Sequence, residues 1–154
     1  MSDQNKLTWR KKATGTVLSL LFLVAATSLW AADEPQFTNQ SLQGKWAFSG
    51  SGTIVPPATP QPAPAVAVGI MTFDGNGGCS ITDTINIGGA SLSRSSLSCT
   101  YVVDADGQGS LTAQFPGDPG PTPLALVLIS NNEFRFIRKD LGVASGVASR
   151  QKKG

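Results

Sequence analysis

Hydrophobic and polar residues alternate in short runs along most of this chain, and clusters of glycine, proline, aspartate and asparagine separate the runs. A period of two is typical of β-strands with one buried side and one solvent-facing side. The clusters between the runs are typical of turns and loops. The pattern therefore predicts an all-β chain with no helix. Its eight predicted strands cover residues 44–54, 65–74, 78–88, 91–103, 109–115, 124–130, 133–139 and 143–150.

The third and fourth predicted strands flank Gly88-Gly89-Ala90, and glycines at such a position are typical of a hairpin turn. A three-residue turn centred on Gly89 would place Cys79 directly opposite Cys99. Directly opposed residues share one face of a sheet. The two cysteines of the chain are therefore predicted to be cross-strand neighbours.

The same register places Asp83 on the apolar face of the hairpin, between isoleucines. An unpaired carboxylate is costly to bury, so Asp83 requires a partner. Arg135 is one candidate if Phe134 and Phe136 point outward, whereas the register assigns Arg94 to the polar face. Ser95 and Tyr101 are alternative hydrogen-bond partners. Asp83, Tyr101 and Arg135 are therefore candidates for an interior polar site, either an internal ion pair or an anchor for a ligand.

The first 31 residues have the features of a secretory signal peptide. A basic segment precedes an apolar run over 17–26 and then small residues. We place the cleavage after Ala31, with Ser28 as the alternative. The apolar run is shorter than the roughly 20 residues that a membrane-spanning helix needs. We therefore expect an exported protein, periplasmic or extracellular, with no membrane span after cleavage. Its expected parts are the signal peptide over 1–31, a polar lead-in over 32–43, a β-barrel domain over 44–150 and a basic tail over 151–154.

Cleavage changes the charge of the chain. It removes four basic and one acidic residue from totals of 12 and 10, which leaves 8 and 9. A near-neutral chain lacks the basic surface of a nucleic-acid-binding protein. In an exported chain, two cysteines favour one Cys79–Cys99 disulfide over free thiols. The chain has no histidine, so it lacks the usual catalytic triads and zinc sites. We predict no catalytic residue, no metal and no cofactor, and leave the oligomeric state open.

Eight short antiparallel strands hide their edges best by closing into an up-and-down barrel, with an open β-sandwich as the alternative. The interior of an eight-stranded barrel is wide enough for side chains or for one small ligand. The large apolar residues of the predicted inner faces are the candidates for its lining: Trp46, Phe48, Met71, Phe73, Ile81, Ile85 and Phe115.

The motif Gly44-x-Trp46 on the first strand, after a polar lead-in and before a long loop, resembles the N-terminal signature of the lipocalin-like (calycin) barrels. That resemblance implies that the tryptophan packs at the closed end of the barrel, under an arginine from a late strand. Arg135, Arg138 and Arg150 are the candidates for this arginine.

A longer pattern is similar to that of small exported bacterial barrels of unassigned function, which are grouped by fold with the allene oxide cyclase-like barrels. It comprises Leu42-x-Gly44-x-Trp46-x-Phe48, Gly69-x-x-Thr72-Phe73-Asp74-Gly75-x-Gly77, Thr112-x-x-Phe115 and Ser145-Gly146-Val147-Ala148. These positions build turns and core, so the resemblance implies a lipocalin-like fold rather than an activity.

The expected role is non-catalytic: binding a small apolar ligand, or serving as an envelope-associated structural module. The alternative is a cyclase-like or isomerase-like enzyme that holds an apolar substrate in the barrel cavity. In that alternative, Asp83 or Tyr101 would be the polar group of the site. A cavity with convergent polar groups would favour the enzyme, an apolar cavity the binder and a filled interior the structural module.

Overall fold

The computed structural model describes residues 36–56 and 61–152. The expected signal peptide and its cleavage site lie outside these residues, and both stay predictions. The described part forms one short 3-10 helix and nine antiparallel β-strands. The elements are η1 (Asn39–Leu42), β1 (Gly44–Ile54), β2 (Ala63–Phe73), β3 (Cys79–Ile87), β4 (Ala90–Ser95), β5 (Ser98–Val103), β6 (Gln108–Gln114), β7 (Thr122–Ser130), β8 (Glu133–Arg138) and β9 (Val143–Arg150).

The nine strands form one curled sheet in the order β4-β3-β2-β1-β9-β8-β7-β6-β5. The first four strands and the last five are each a meander of sequential neighbours. The two meanders join in the middle of the sheet, where β1 pairs with β9. Bulky apolar side chains point to the inner face because they alternate with small or polar ones along each strand.

The strand count differs from the predicted eight because the fourth predicted strand is divided at Ser96 and Leu97 into β4 and β5. Before this break the chain pairs with β3, and after it the chain pairs with β6. Leu97, which the predicted register placed on the apolar face, is exposed. One stretch of chain therefore serves both edges of the sheet.

The two edges of the sheet approach each other along a line that we call the seam, formed by the Gly78–Thr100 bridge and the Cys79–Cys99 disulfide. The Tyr101 amide also donates a hydrogen bond to the Gly77 carbonyl across it, at 2.9 Å. The Cα atoms of the two cysteines are 4.9 Å apart. The predicted disulfide is confirmed.

The register of the β3–β4 hairpin differs by one residue from the predicted one. Gly88 and Gly89 form a two-residue turn, with φ angles of 57° and 98° that favour glycine. Asp83 consequently pairs with Arg94 and not with Ser95. Since side chains alternate between faces, this one-residue difference moves Arg94 from the predicted polar face to the inner face.

The end of the sheet covered by η1, which we call the closed end, is filled with side chains. Trp46 and Phe134 are fully buried there, with ring centroids 5.1 Å apart. The indole Nε1 of Trp46 donates a hydrogen bond to the Leu42 carbonyl at 2.7 Å, which ties η1 to the core. The opposite end carries the β3–β4, β6–β7 and β8–β9 connections, and we call it the open end.

Arg150 covers Trp46 at the closed end. Its guanidinium lies 4.5 Å above the indole ring, a geometry in which the cation is attracted to the π face. The same group donates hydrogen bonds to the carbonyls of Ser41, Gln43 and Asn131. Of the three arginines considered from the sequence, Arg150 is the one that packs on the tryptophan.

Candidate functional site

A cavity of about 90 Å³ lies on the inner face of the sheet and opens to solvent at the open end. Most of its walls are apolar. The large apolar side chains that line it are those of Phe48, Ile54, Met71, Ile81, Ile85, Phe115, Leu124 and Phe136. Four polar side chains with inward positions also border it: Asp83, Arg94, Thr122 and Arg138.

Small inner-face residues create this space. Ala65, Ala67 and Ala144 line the cavity, whereas aromatic rings fill the closed end. The ring of Phe136 lies against Gly146, where an added Cβ would stand 2.2 Å from the Phe136 Cζ. A side chain at this position would displace the ring, so Gly146 helps to set the shape of the cavity.

The Asp83–Arg94 ion pair is the main polar group of the cavity. The Nε and Nη2 of Arg94 donate hydrogen bonds to the two carboxylate oxygens of Asp83, at 3.0 and 2.7 Å. Only 13% of the Arg94 side chain and 4% of the Asp83 side chain are exposed. Gly69, opposite Asp83, leaves room for the carboxylate, since a Cβ there would stand 2.8 Å from the Asp83 Cβ.

Phe115 fixes the position of the guanidinium. The Cζ of Arg94 lies 4.1 Å from the centroid of the Phe115 ring, so the cation rests on the ring face. Stacking on the Phe115 ring and a bidentate hydrogen bond to Asp83 hold the planar guanidinium in one orientation. The arginine therefore presents its remaining donors in a fixed direction.

Three further charged groups lie near this pair. Arg138 donates hydrogen bonds to Asp140, which lowers the pKa of the Asp140 carboxyl despite its partial burial. Burial raises the pKa of Asp118, and the field of Arg94 and Arg138 opposes this effect. With Asp83, the group comprises three carboxylates and two guanidinium ions.

Tyr101 lies at the closed end, away from the cavity lining. Its hydroxyl donates a hydrogen bond to the Asn39 carbonyl at 3.0 Å and accepts one from the Gly75 amide at 3.0 Å. Burial raises the pKa of this hydroxyl. The sequence suggested Asp83 or Tyr101 as the polar group of a single site. In the structure Asp83 borders the cavity, whereas Tyr101 lies at the closed end.

Arg135 is not the partner of Asp83, and the expectation that it points inward is wrong. Phe134 and Phe136 occupy the inner positions of β8, so Arg135 between them points outward. Its side chain is 68% exposed, and its Nε lies 3.5 Å from the Glu133 carboxylate.

All seven candidates for the lining have buried side chains, but they divide between two regions. Trp46 and Phe73 pack at the closed end, while the other five border the cavity. Sequence reasoning did not assign Arg94, Thr122 or Arg138 to the cavity. The Gly-Gly pair at 88–89 was the available signal for Arg94, because two glycines favour a two-residue turn.

No group of three or more histidine, cysteine, aspartate or glutamate side chains in 36–56 and 61–152 is arranged to hold a metal ion. No helix within the same residues has the length and apolar character needed to cross a membrane.

No protein-family model matches this chain, and no curated protein matches it. A solved structure is similar to it: EF1p2_mFAP2b bound to DFHBI, with a TM-score of 0.50 and 14% sequence identity. The match covers 73% of this chain and 95% of that one. The likeness supports a β-barrel type of fold.

Proposed function

We propose that this chain is an exported, lipocalin-like β-barrel that binds a small apolar molecule in the cavity at its open end. The cavity carries the proposal, since its walls are mostly apolar and it reaches solvent. The similar structure, EF1p2_mFAP2b bound to DFHBI, supports it as an example of a related fold with a bound small molecule. The Cys79–Cys99 disulfide supports export, because disulfides persist in oxidising compartments. The contacts along the seam support closure of the barrel.

The size of the cavity limits the ligand. Its volume of about 90 Å³ is below the ~150 Å³ of an engineered cavity that binds benzene. It is also well below the ~300–1,000 Å³ of pockets that enclose drug-sized molecules. Because the cavity opens to solvent, a ligand can be partly enclosed. We therefore expect a slender apolar chain, inserted end-on, rather than a fully buried ring system.

A second candidate is an envelope-associated structural module without a ligand. The observation that favours it is the dense filling of the closed end, where Trp46, Phe73 and Phe134 are almost completely buried. In that case the remaining cavity would contain only water, or would serve only to let the surrounding side chains move.

Native mass spectrometry of the protein purified from the exported fraction of its own host distinguishes the two candidates. A reproducible extra mass that disappears on denaturation supports the binder, and the mass identifies the class of molecule. A clean ligand-free mass favours the structural module. Denaturing analysis of the same sample locates the signal cleavage, and reduction should add the mass of two hydrogens if the disulfide is present.

A cavity-filling variant tests the site itself. Ala67→Leu adds bulk to the cavity wall and should abolish retention of the extra mass, whereas Val68→Leu is a control that introduces leucine on the outer face of the same strand. Val68 is the next residue of β2, points outward and is 60% exposed. Equal retention of the extra mass by both variants would place the ligand elsewhere and contradict the proposed site.

A further inference from the structure

Arg94 has hydrogen-bonding capacity that the protein does not use. A guanidinium carries five N–H donors, and Asp83 receives one from Nε and one from Nη2. The Nη1 group makes no hydrogen bond to any residue within 36–56 and 61–152. Since Arg94 lines the cavity and is largely buried, these free donors are available to a molecule bound there.

The charge of Arg94 is already balanced. Asp83 pairs with it through both carboxylate oxygens, so the guanidinium offers hydrogen bonds without a net positive charge. Asp118, Arg138 and Asp140 bring the local group to three carboxylates and two guanidinium ions. A ligand carboxylate would add a further negative charge to this group. It would lose its hydration on binding, and the described part of the cavity has no unpaired cation to compensate for that loss.

A second polar group borders the same cavity. Thr122 is buried on the inner face of β7, and its side chain lies in the lining with Arg94. Its hydroxyl can donate or accept a hydrogen bond without adding charge. The polar part of the site therefore suits an uncharged group that accepts hydrogen bonds.

We infer that Arg94 anchors the ligand, and that the ligand is an uncharged, slender apolar molecule with a hydrogen-bond acceptor such as a ketone or ester, not a fatty carboxylate. This inference rests on the proposed function. It names the chemical class of the molecule bound in the cavity and the donor that receives it.

Four probes with the same seven-carbon chain test this inference: heptane, 2-heptanone, heptanoate and 1-heptylamine. Shifts of the Ile81 and Ile85 methyl resonances report binding, since both side chains line the cavity. We expect 2-heptanone to bind about tenfold more tightly than heptane, because its carbonyl can accept a hydrogen bond from the charged Arg94. Heptanoate and 1-heptylamine should bind more weakly than the ketone.

Asp83→Asn provides the sharper test because it should reverse a preference. With Asp83 uncharged, Arg94 loses its directly bonded carboxylate, and the local group falls to two carboxylates and two guanidinium ions. Heptanoate can then take the place of the lost carboxylate and should become the tightest of the four probes. Asp74→Asn is the control, since it removes the same charge from an exposed turn at the closed end and should leave the ketone preferred. If Asp83→Asn does not fold, the double variant Asp83→Asn/Arg94→Gln removes both charges and should abolish the tenfold advantage of the ketone.

The outcomes separate the inference from the function on which it rests. Equal affinity for all four probes would overturn the role of Arg94 while leaving an apolar binding cavity. Tightest binding of heptanoate or 1-heptylamine to the unmodified protein would overturn the ligand class. Failure of every probe, heptane included, to shift the two isoleucines would overturn the proposed function as well.

Discussion

Asp83 of β3 and Arg94 of β4 face each other on the inner side of the sheet, joined by two hydrogen bonds of 3.0 and 2.7 Å. The same guanidinium rests on Phe115, which follows β6 near the opposite edge of the sheet. The ion pair therefore links the two edges at the open end, as the disulfide links them along the seam.

We predict that Asp83→Ala lowers the free energy of unfolding by about 3 kcal/mol, because it leaves the buried Arg94 cation without its partner. Asp74→Ala should cost less, although Asp74 accepts hydrogen bonds from the Asn76 and Gly78 amides that lower its pKa. Asp74 lies in an exposed turn, where water can replace the lost carboxylate. Urea denaturation of both variants measures the difference, and equal midpoints would contradict the structural role of Asp83.

Loss of the disulfide should also destabilise the fold. The Cys79–Cys99 bond joins residues 20 positions apart, and the chain-entropy account assigns about 3 kcal/mol to a loop of this size. The double variant Cys79→Ser/Cys99→Ser should therefore melt at a lower temperature than the oxidised protein. Reductant should lower the melting temperature of the unmodified protein and leave that of the double variant unchanged. A reductant effect of equal size on both would point to a cause other than this bond.

Arg150→Met should open the closed end. The substitution removes the cation over the Trp46 ring and three hydrogen bonds to backbone carbonyls, so we expect a loss of about 2 kcal/mol. Arg150→Lys should recover only part of it, because an ammonium cannot stack flat or donate as a fork. Arg135→Met is the control, since Arg135 is exposed and its ion pair should contribute little.

Tryptophan fluorescence provides the readout for these variants. The chain has three tryptophans, and two of them, Trp9 and Trp30, lie in the expected signal peptide. In protein lacking residues 1–31, emission therefore reports Trp46 alone. We expect a red shift for Arg150→Met and none for Arg135→Met. An unchanged spectrum for Arg150→Met would mean that other groups shield the indole.

Asp118 and Asp140 should give opposite dependences of stability on pH. The pKa of Asp118 is raised by burial, so the folded state holds its proton more tightly than the unfolded state does. Its contribution to stability is then greatest at low pH and falls as pH rises from about 4 through the raised pKa. The pKa of Asp140 is lowered by the hydrogen bonds from Arg138, so its contribution is present above pH 4 and is lost as pH falls through the lowered pKa.

Thermal melts of Asp118→Asn and Asp140→Asn between pH 3 and pH 7 test this pair. Relative to the unmodified protein, Asp118→Asn should gain stability as the pH rises, and Asp140→Asn should lose it. Parallel curves for the two variants would contradict the assigned environments.

Sequence patterns are most informative about the bounds of individual strands. The bounds predicted for the first and last strands, 44–54 and 143–150, coincide with β1 and β9, because alternation and flanking turn residues are local signals. The Cys79–Cys99 pairing was also predictable, although the assumed turn was one residue too long. The break at Ser96 and Leu97 offsets that difference, so the cysteines still meet across the seam.

The partner of Asp83 was not predictable by the same reasoning. A difference of one residue in the turn reverses the face of the side chains of β4, up to the break at Ser96 and Leu97, and this alone assigned Arg94 to the wrong side. The sequence did not determine which arginine covers Trp46, for another reason. The answer depends on the pairing of β1 with β9, which are far apart in the chain. No local pattern contains that information.

The pairing of β1 with β9 also has a consequence for folding. Arg150 and Gln43, which are bonded at the closed end, are separated by 107 positions along the chain. Contacts of such long sequence separation form late and slowly. Until the last strand arrives, β1 has an unpaired edge and Trp46 lacks its cover, so a nascent chain exposes both. A chain truncated before Val143 would leave two bare edges in the middle of the sheet, not simply a sheet one strand shorter.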